Sequence, residues 1–230
     1  MEPPTRAMPP ERSLWYREEE DIDRSLAFIH DEFRAGFELV AGIDRPAVSV
    51  FGSARVRPDD ERYERTRALG AAIAGIGWAV VTGGGPGLME AANRGAKEAG
   101  GLSVGLGIRL PREESLNPWC DLSYDFKHFY ARKVCFVKAS EGFIAAPGGW
   151  GTCDELYEAL VLIQTHKIEH FPVVLFGDGA WDPFLAWSER MVGQGLVSAQ
   201  DVRLVSTTDD PDEAVELILR CYRRECEHLA

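Results

Sequence analysis

Two stretches of this sequence carry side chains whose spacing could do chemistry. The first is Pro147-Gly148-Gly149-Trp150-Gly151-Thr152-Cys153-Asp154-Glu155. A glycine-rich turn that runs into a helix lets backbone N–H groups approach an anion, and the helix dipole favours negative charge there. Read as chemistry, the loop amides and the Thr152 hydroxyl would bind a phosphate while Glu155 faces a reacting centre. The same letters admit a second reading: Thr152 and Glu155 form T-x-x-E, a capping box that would stabilise a helix start and needs no function. The second stretch is Tyr130-Ala131-Arg132-Lys133. A cation at a helix start opposes the macrodipole, so Arg132 calls for an anionic partner, or else is an ordinary surface charge. Glu90, in Gly87-Leu88-Met89-Glu90, is open to the same two readings, as substrate ligand or as a first-turn acid. Met89 and Asn93 beside it default to helix core and surface.

Strand ends must present these groups. Ala47–Arg55 reads as a buried strand closing on Gly52-Ser53. Residues 78–87 read as a strand entering Gly83-Gly84-Gly85-Pro86-Gly87, and residues 142–149 as a strand entering the Pro147 loop. Further strands are predicted over 102–108, 121–126, 172–177 and 202–206. Helices are predicted over 59–75, 88–99, 129–140, 152–165, 181–194 and 211–228. Strands alternating with helices, without tight hairpins, predict an α/β fold: a Rossmann-like, doubly wound parallel sheet with helices on both faces. Such sheets bind ligands at the carboxyl ends of their strands, where strand order reverses. Before the first strand, Ile22, Leu26, Ile29, Phe33, Phe37 and Val40 recur at helical spacing, predicting an amphipathic helix over 14–40. Residues 1–13 read as a Pro-rich, charged tail, 14–45 as that helix with its connection, and 46–230 as one domain.

Composition excludes several classes. The 230 residues carry a formal net charge of −12 and are 45% hydrophobic. An acidic chain of ordinary globular composition is not built to grip a nucleic-acid backbone. No apolar run approaches the roughly 18 residues of a membrane span, and the N-terminus has no apolar segment of a secretory signal. Five scattered cysteines, none in CxxC, read as free thiols of a reduced, cytoplasmic protein. No metal-ligand cluster is visible. A Walker A loop fails because no Gly is followed by Lys, and the first strand ends in FGSAR rather than G-x-G-x-x-G. The five histidines form no pair or triad, His128 included, and no G-x-S-x-G elbow exists.

Taken together, SVFGSAR (49–55), TGGGPGLMEAANRGAKEAGG (82–101), Arg132-Lys133 and PGGWGTCDE (147–155) resemble the LONELY GUY (LOG) family of cytokinin riboside 5′-monophosphate phosphoribohydrolases, long labelled lysine decarboxylases. The resemblance spans about residues 46–208. It implies a homodimer or larger homo-oligomer with the active site at the subunit interface, and a nucleoside monophosphate substrate such as AMP or a cytokinin riboside monophosphate, with no cofactor. It places Arg132 and Glu155 at the family's catalytic positions. It places Pro147, Gly148, Gly149, Gly151 and Thr152 in the phosphate loop, and Gly83, Gly84, Gly85, Gly87 and Met89 along the nucleotide. Gly52, Ser53, Glu90 and Lys133 complete the expected substrate-binding set. Where shorter members carry Met-His before the Arg-Lys segment, this chain has Phe129-Tyr130-Ala131, which leaves base preference open. A decarboxylase using pyridoxal phosphate needs a Schiff-base lysine with an acidic partner for the ring, and none of the five lysines stands in such a context. The alternative within the superfamily is a non-catalytic nucleotide-binding or molybdenum-cofactor carrier protein.

Overall fold

In the strand Ala47–Phe51, Val48 and Val50 point to one side of the sheet and Ala47 and Phe51 to the other, and all four are buried. A strand buried on both faces belongs in the middle of a covered parallel sheet. The computed structural model describes residues 22–110, 116–169, 171–177 and 179–225. In chain order the elements are α1 (Ile22–Ala41), β1 (Ala47–Phe51), α2 (Glu61–Gly75), β2 (Ala79–Thr82), α3 (Leu88–Glu98), β3 (Ser103–Ile108), β4 (Leu122–Phe126), α4 (Phe129–Ala139), β5 (Phe143–Ala145), α5 (Trp150–Gln164), β6 (Val173–Phe176), α6 (Asp182–Gly193), β7 (Val205–Thr208) and α7 (Pro211–Tyr222). All strands run parallel in the order β4-β3-β2-β1-β5-β6-β7. Strand order reverses between β1 and β5, whose register pairs Ser49 with Phe143. The crevice at that switch point is where a doubly wound sheet holds its ligand.

Each face of the sheet carries its own core. On one side Val48, Val50, Val80 and Phe176 meet Leu69 and Ile73 of α2, Leu88 and Ala92 of α3, and Ile218 of α7. On the other, Phe51, Val81, Leu106 and Leu175 meet Phe136 of α4 and Leu156 and Ile163 of α5. The doubly wound fold expected from the sequence is the fold observed. Local chemistry sets several boundaries. Asp60 caps α2 by accepting the Arg62 N–H at 2.9 Å, and Asp210 caps α7 with Pro211 at the first helical position. No helix among the described residues is long and apolar enough to cross a membrane.

Four expectations are corrected. Helix α5 begins at Trp150, two residues before the predicted start, because Gly149 is its N-cap and accepts the Cys153 N–H at 3.0 Å. The last strand is 205–208 rather than 202–206. The Asp201 carboxylate accepts the Ser198 N–H at 2.6 Å and the Gln164 amide at 2.8 Å, and this winds Asp201–Leu204 into a 3₁₀ turn. The apolar stripe of α1 faces the core only in part: Phe33 and Val40 pack against it and Ile29 is half-buried. Ile22 and Leu26 are 71% and 57% exposed, whereas Glu32 and Gly36 are buried. Of that predicted helix, residues 14–21 lie outside the described residues, as do the tail 1–13 and residues 226–228 of the predicted last helix, which ends at Tyr222. Finally, Cys120, Cys135 and Cys153 are free thiols, but Cys221 is disulfide-bonded, so the expectation of free thiols throughout fails there.

Candidate active site

The carboxyl ends of β1, β2 and β3 and the first turns of α4 and α5 enclose a cleft of about 710 Å³. That is within the size range of small-molecule sites. Its walls hold Gly52 and Ser53 after β1, Gly83, Gly84, Gly85 and Met89 after β2, Arg132 on α4, and Gly149, Gly151, Thr152 and Glu155 on α5.

A buried polar network shapes the loop after β2. Thr82 Oγ1 accepts the Gly84 N–H at 2.9 Å and donates to Asn93 Oδ1 at 2.6 Å. Asn117 Nδ2 donates to the same Asn93 oxygen at 2.9 Å and to the Gly85 carbonyl at 3.1 Å, while its backbone N–H donates to the Gly84 carbonyl at 2.7 Å. Asn93 Nδ2 donates to Ser103 Oγ at 2.9 Å. Asn93 is therefore fully buried rather than on a helix surface. A loop so short of side chains keeps one shape because these amides and hydroxyls satisfy one another.

Arg132 sits in the first turn of α4. Its Nε donates to the Leu106 carbonyl at the end of β3 at 2.8 Å, and the guanidinium lies over the Phe136 ring, 5.1 Å from the centroid. Gly83 makes room for it: a Cβ there would stand 2.5 Å from Arg132 Nη2 and 2.7 Å from the Met89 sulfur. Nε thus anchors the guanidinium to β3, and Nη2 faces the Gly83 loop.

Glu155 is 4% exposed. Burial pushes its carboxyl up to about 7, against the opposing pull of the Arg132 charge and then of Lys133. The capping-box reading fails here. With Gly149 as the N-cap, Thr152 is the third helical residue and Glu155 lies in the second turn, too far along the helix to return to the cap. Thr152 is buried over Gly148, where any Cβ would collide with its hydroxyl. The N–H groups of Trp150, Gly151 and Thr152 precede the first i to i−4 bond and face no carbonyl of their own helix. The start of α5 thus combines anion-seeking amides with a carboxylate of raised proton affinity, a pairing typical of functional sites.

Five expected site residues do not line the cleft. Lys133 turns away from it and binds Asp154 Oδ1 at 3.0 Å and Glu158 Oε2 at 2.7 Å, tying α4 to α5. Glu90 of α3 accepts the hydroxyl of Tyr63 on α2 at 3.1 Å. Gly87 caps α3 at φ 70°, with a Cβ excluded by the Ser53 carbonyl. Pro147 packs against Gly177, and Gly148 supports Thr152. Conversely, the cleft is also lined by Arg55, Arg109, Leu116, Asp125, Phe129, Asp154 and Trp150. Arg55 and Asp125 follow or end strands, a position that could have flagged them. Leu116 and Arg109 come from the long connection before β4, whose course no periodicity announces.

A family model described as "Possible lysine decarboxylase" matches residues 89–218, more than half of the chain. The chain belongs to this family, the LOG family. It is 31% identical over 158 residues to the cytokinin riboside 5′-monophosphate phosphoribohydrolase of Mycobacterium marinum, covering 68% of this chain and 84% of that protein. The like-named protein of Mycobacterium tuberculosis is also 31% identical, over 163 residues, covering 67% of this chain and 84% of its own length. Among solved structures, the molybdenum cofactor binding protein from Rippkaea orientalis superposes with a TM-score of 0.59 at 27% identity, covering 78% of this chain and 99% of that one. Sequence relatives named as enzymes and a structural neighbour named as a binding protein thus share this fold.

Proposed function

We propose that this protein is a nucleoside 5′-monophosphate phosphoribohydrolase, cleaving the N-glycosidic bond of AMP or a cytokinin riboside monophosphate to free base and ribose 5-phosphate. The observation that carries this reading is Glu155, a buried carboxylate in the cleft wall that the helix cap does not use. The phosphate sits on the Trp150, Gly151 and Thr152 amides, aided by the Thr152 hydroxyl and the helix dipole. Its binding energy, remote from the reacting bond, orients the ribose over Glu155. The base lies toward Gly83–Gly85 and Leu116. Breaking the bond develops positive charge on the ribose ring, as in glycoside hydrolysis. The Glu155 carboxylate stabilises that charge and takes a proton from water as the water oxygen bonds to C1′. The electron pair of the broken bond leaves with the base nitrogen, which is protonated by solvent. Arg132 favours the ionised form of Glu155 against the effect of burial and holds the carboxylate, or the phosphate, in a fixed fork.

A homodimer belongs to the same reading. Phe129, Tyr130 and Val134 of α4 leave apolar surface exposed, and Phe129 itself lines the cleft. A second copy packed on this face would close the site, and the mass in solution tests it.

The structural likeness to a molybdenum cofactor binding protein favours a second reading, a carrier that holds a phosphorylated pterin without turnover. Glu155 weighs against it, since a pure binder of an anion gains nothing from a carboxylate beside the phosphate loop. The two separate in one experiment: chromatography of the protein with AMP, GMP, CMP, IMP and isopentenyladenosine monophosphate. Free base that disappears in Arg132→Ala and Glu155→Gln supports the hydrolase. No release from any of them, with a phosphorylated pterin retained on purification, supports the carrier.

A further inference from the structure

Glu32 is a carboxylate with 3% exposure on α1, upstream of the residues that the family model matches. A buried acid needs partners, and Glu32 has three on one segment. Its Oε1 accepts the Lys127 N–H. Its Oε2 accepts the His128 N–H at 3.3 Å and the His128 Nδ1 proton at 2.7 Å. His128 is the N-cap of α4 and makes no side-chain cap bond of its own. Glu32 thus supplies from another helix the negative charge that a helix start seeks. Packing fixes the same junction. A Cβ at Gly36 would meet Cys135 Sγ at 2.6 Å and the Phe126 ring at 2.9 Å, so α1 crosses α4 and the end of β4 at close range. Phe28 lies edge-on to His128 at 5.7 Å and under the Lys127 ammonium at 4.9 Å. The His128 ring stacks on Tyr130 at 5.0 Å.

One helical turn after His128 stands Arg132, whose backbone N–H donates to the His128 carbonyl at 3.3 Å. We infer that Glu32 is a positioning residue for the active site: through Lys127 and His128 it sets the start of α4, and thereby where the Arg132 guanidinium stands relative to Glu155. The inference rests on the role of Arg132 proposed above. It makes α1 part of the catalytic apparatus rather than an appendage, although Glu32 touches no substrate.

The test uses the full chain and two readouts. In Glu32→Gln, amide hydrogen exchange across residues 127–133 accelerates at least about 10-fold while α3 is unchanged. In the same variant kcat for base release falls at least about 10-fold with KM within about 3-fold, since misplacing a catalytic group acts on the transition state. Ile218→Val, in the core on the other face of the sheet, serves as the control for lost stability and leaves kcat unchanged. Should Glu32→Gln not fold, His128 reads the same link. His128→Asn places an N–H near the Nδ1 position and keeps kcat within about 3-fold, whereas His128→Ala loses about 10-fold. Unchanged exchange in Glu32→Gln, or faster exchange with wild-type kcat, overturns the inference, as does equal loss in both His128 variants. Absence of base release from the wild type, with the exchange response intact, contradicts the hydrolase reading and leaves the link from Glu32 to α4 standing.

Discussion

Arg132 Nε donates to the Leu106 carbonyl at 2.8 Å, which ties the guanidinium of α4 to the end of β3 while Nη2 faces Gly83 in the cleft wall. A lysine has one nitrogen and cannot hold the carbonyl and serve the site together. Arg132→Lys should therefore keep its fold, read by circular dichroism, and lose at least about 100-fold in kcat/KM, the scale of a lost positioned charge. Retention of more than a tenth of the activity would show that charge alone suffices.

In the proposed mechanism Glu155 gives activity and stability opposite pH trends. Acting as a base, it must be ionised, and burial has raised its carboxyl to about 7. The kcat/KM profile should rise with pH to a midpoint near 7 and then level. Folding runs the other way. The folded state holds this proton more tightly than the unfolded chain, whose carboxyl titrates at 4.5. The group therefore costs nothing below about 4.5, and its penalty grows as pH rises through the window to about 7. At pH 8, Glu155→Gln should be more stable than wild type by up to about 3 kcal/mol, with the gain gone near pH 4.5. Urea titrations at the two pH values measure this. An equal effect at both would disconnect the carboxyl from the stability difference.

Lys133 adjoins Arg132 in sequence but belongs to the scaffold. It lies between Asp154 and Glu158, with its side chain 16% exposed. Lys133→Ala should lower stability by on the order of 1 kcal/mol, a partly buried pair being worth more than a surface one. It should leave KM for AMP within about 3-fold. A large rise in KM would place the ammonium on the phosphate instead.

Asn93 lies under the loop that follows β2 and holds Thr82, Ser103 and Asn117 together. Asn93→Ala strands buried donors and acceptors, at a cost of about 2–3 kcal/mol. It should also weaken nucleotide binding, because the Gly83–Gly85 backbone loses its template. Calorimetry with AMP reads the second effect. A destabilised variant of unchanged affinity would confine Asn93 to the core.

The sequence showed the sheet plainly, because buried strands and amphipathic helices alternate with little ambiguity. The cleft position followed from where Gly52, Gly83 and Gly149 end their strands. Contacts between distant segments were not legible. T-x-x-E has the same letters whether Thr152 or Gly149 caps the helix, and only backbone geometry decides. Lys133 and Arg132 are neighbours in sequence, yet a helix turns them about 100° apart, so one enters the cleft and the other joins α5. Nothing in the local sequence distinguishes Glu32 from Asp23, Asp31 and Glu38 on the same helix. Its role depends on a crossing at Gly36 that no local pattern encodes. Asn93 and Asn117 meet across 24 residues of chain.

The central claim is that the Glu155 carboxylate drives cleavage of the N-glycosidic bond. The most direct measurement is chromatographic release of free base from AMP and isopentenyladenosine monophosphate by wild type and by Glu155→Gln, both verified as folded. The account predicts base and ribose 5-phosphate in equal amounts from the wild type and at least about a 100-fold lower rate from the variant. Near-wild-type turnover in Glu155→Gln, or no release by the wild type with any nucleotide, would contradict it.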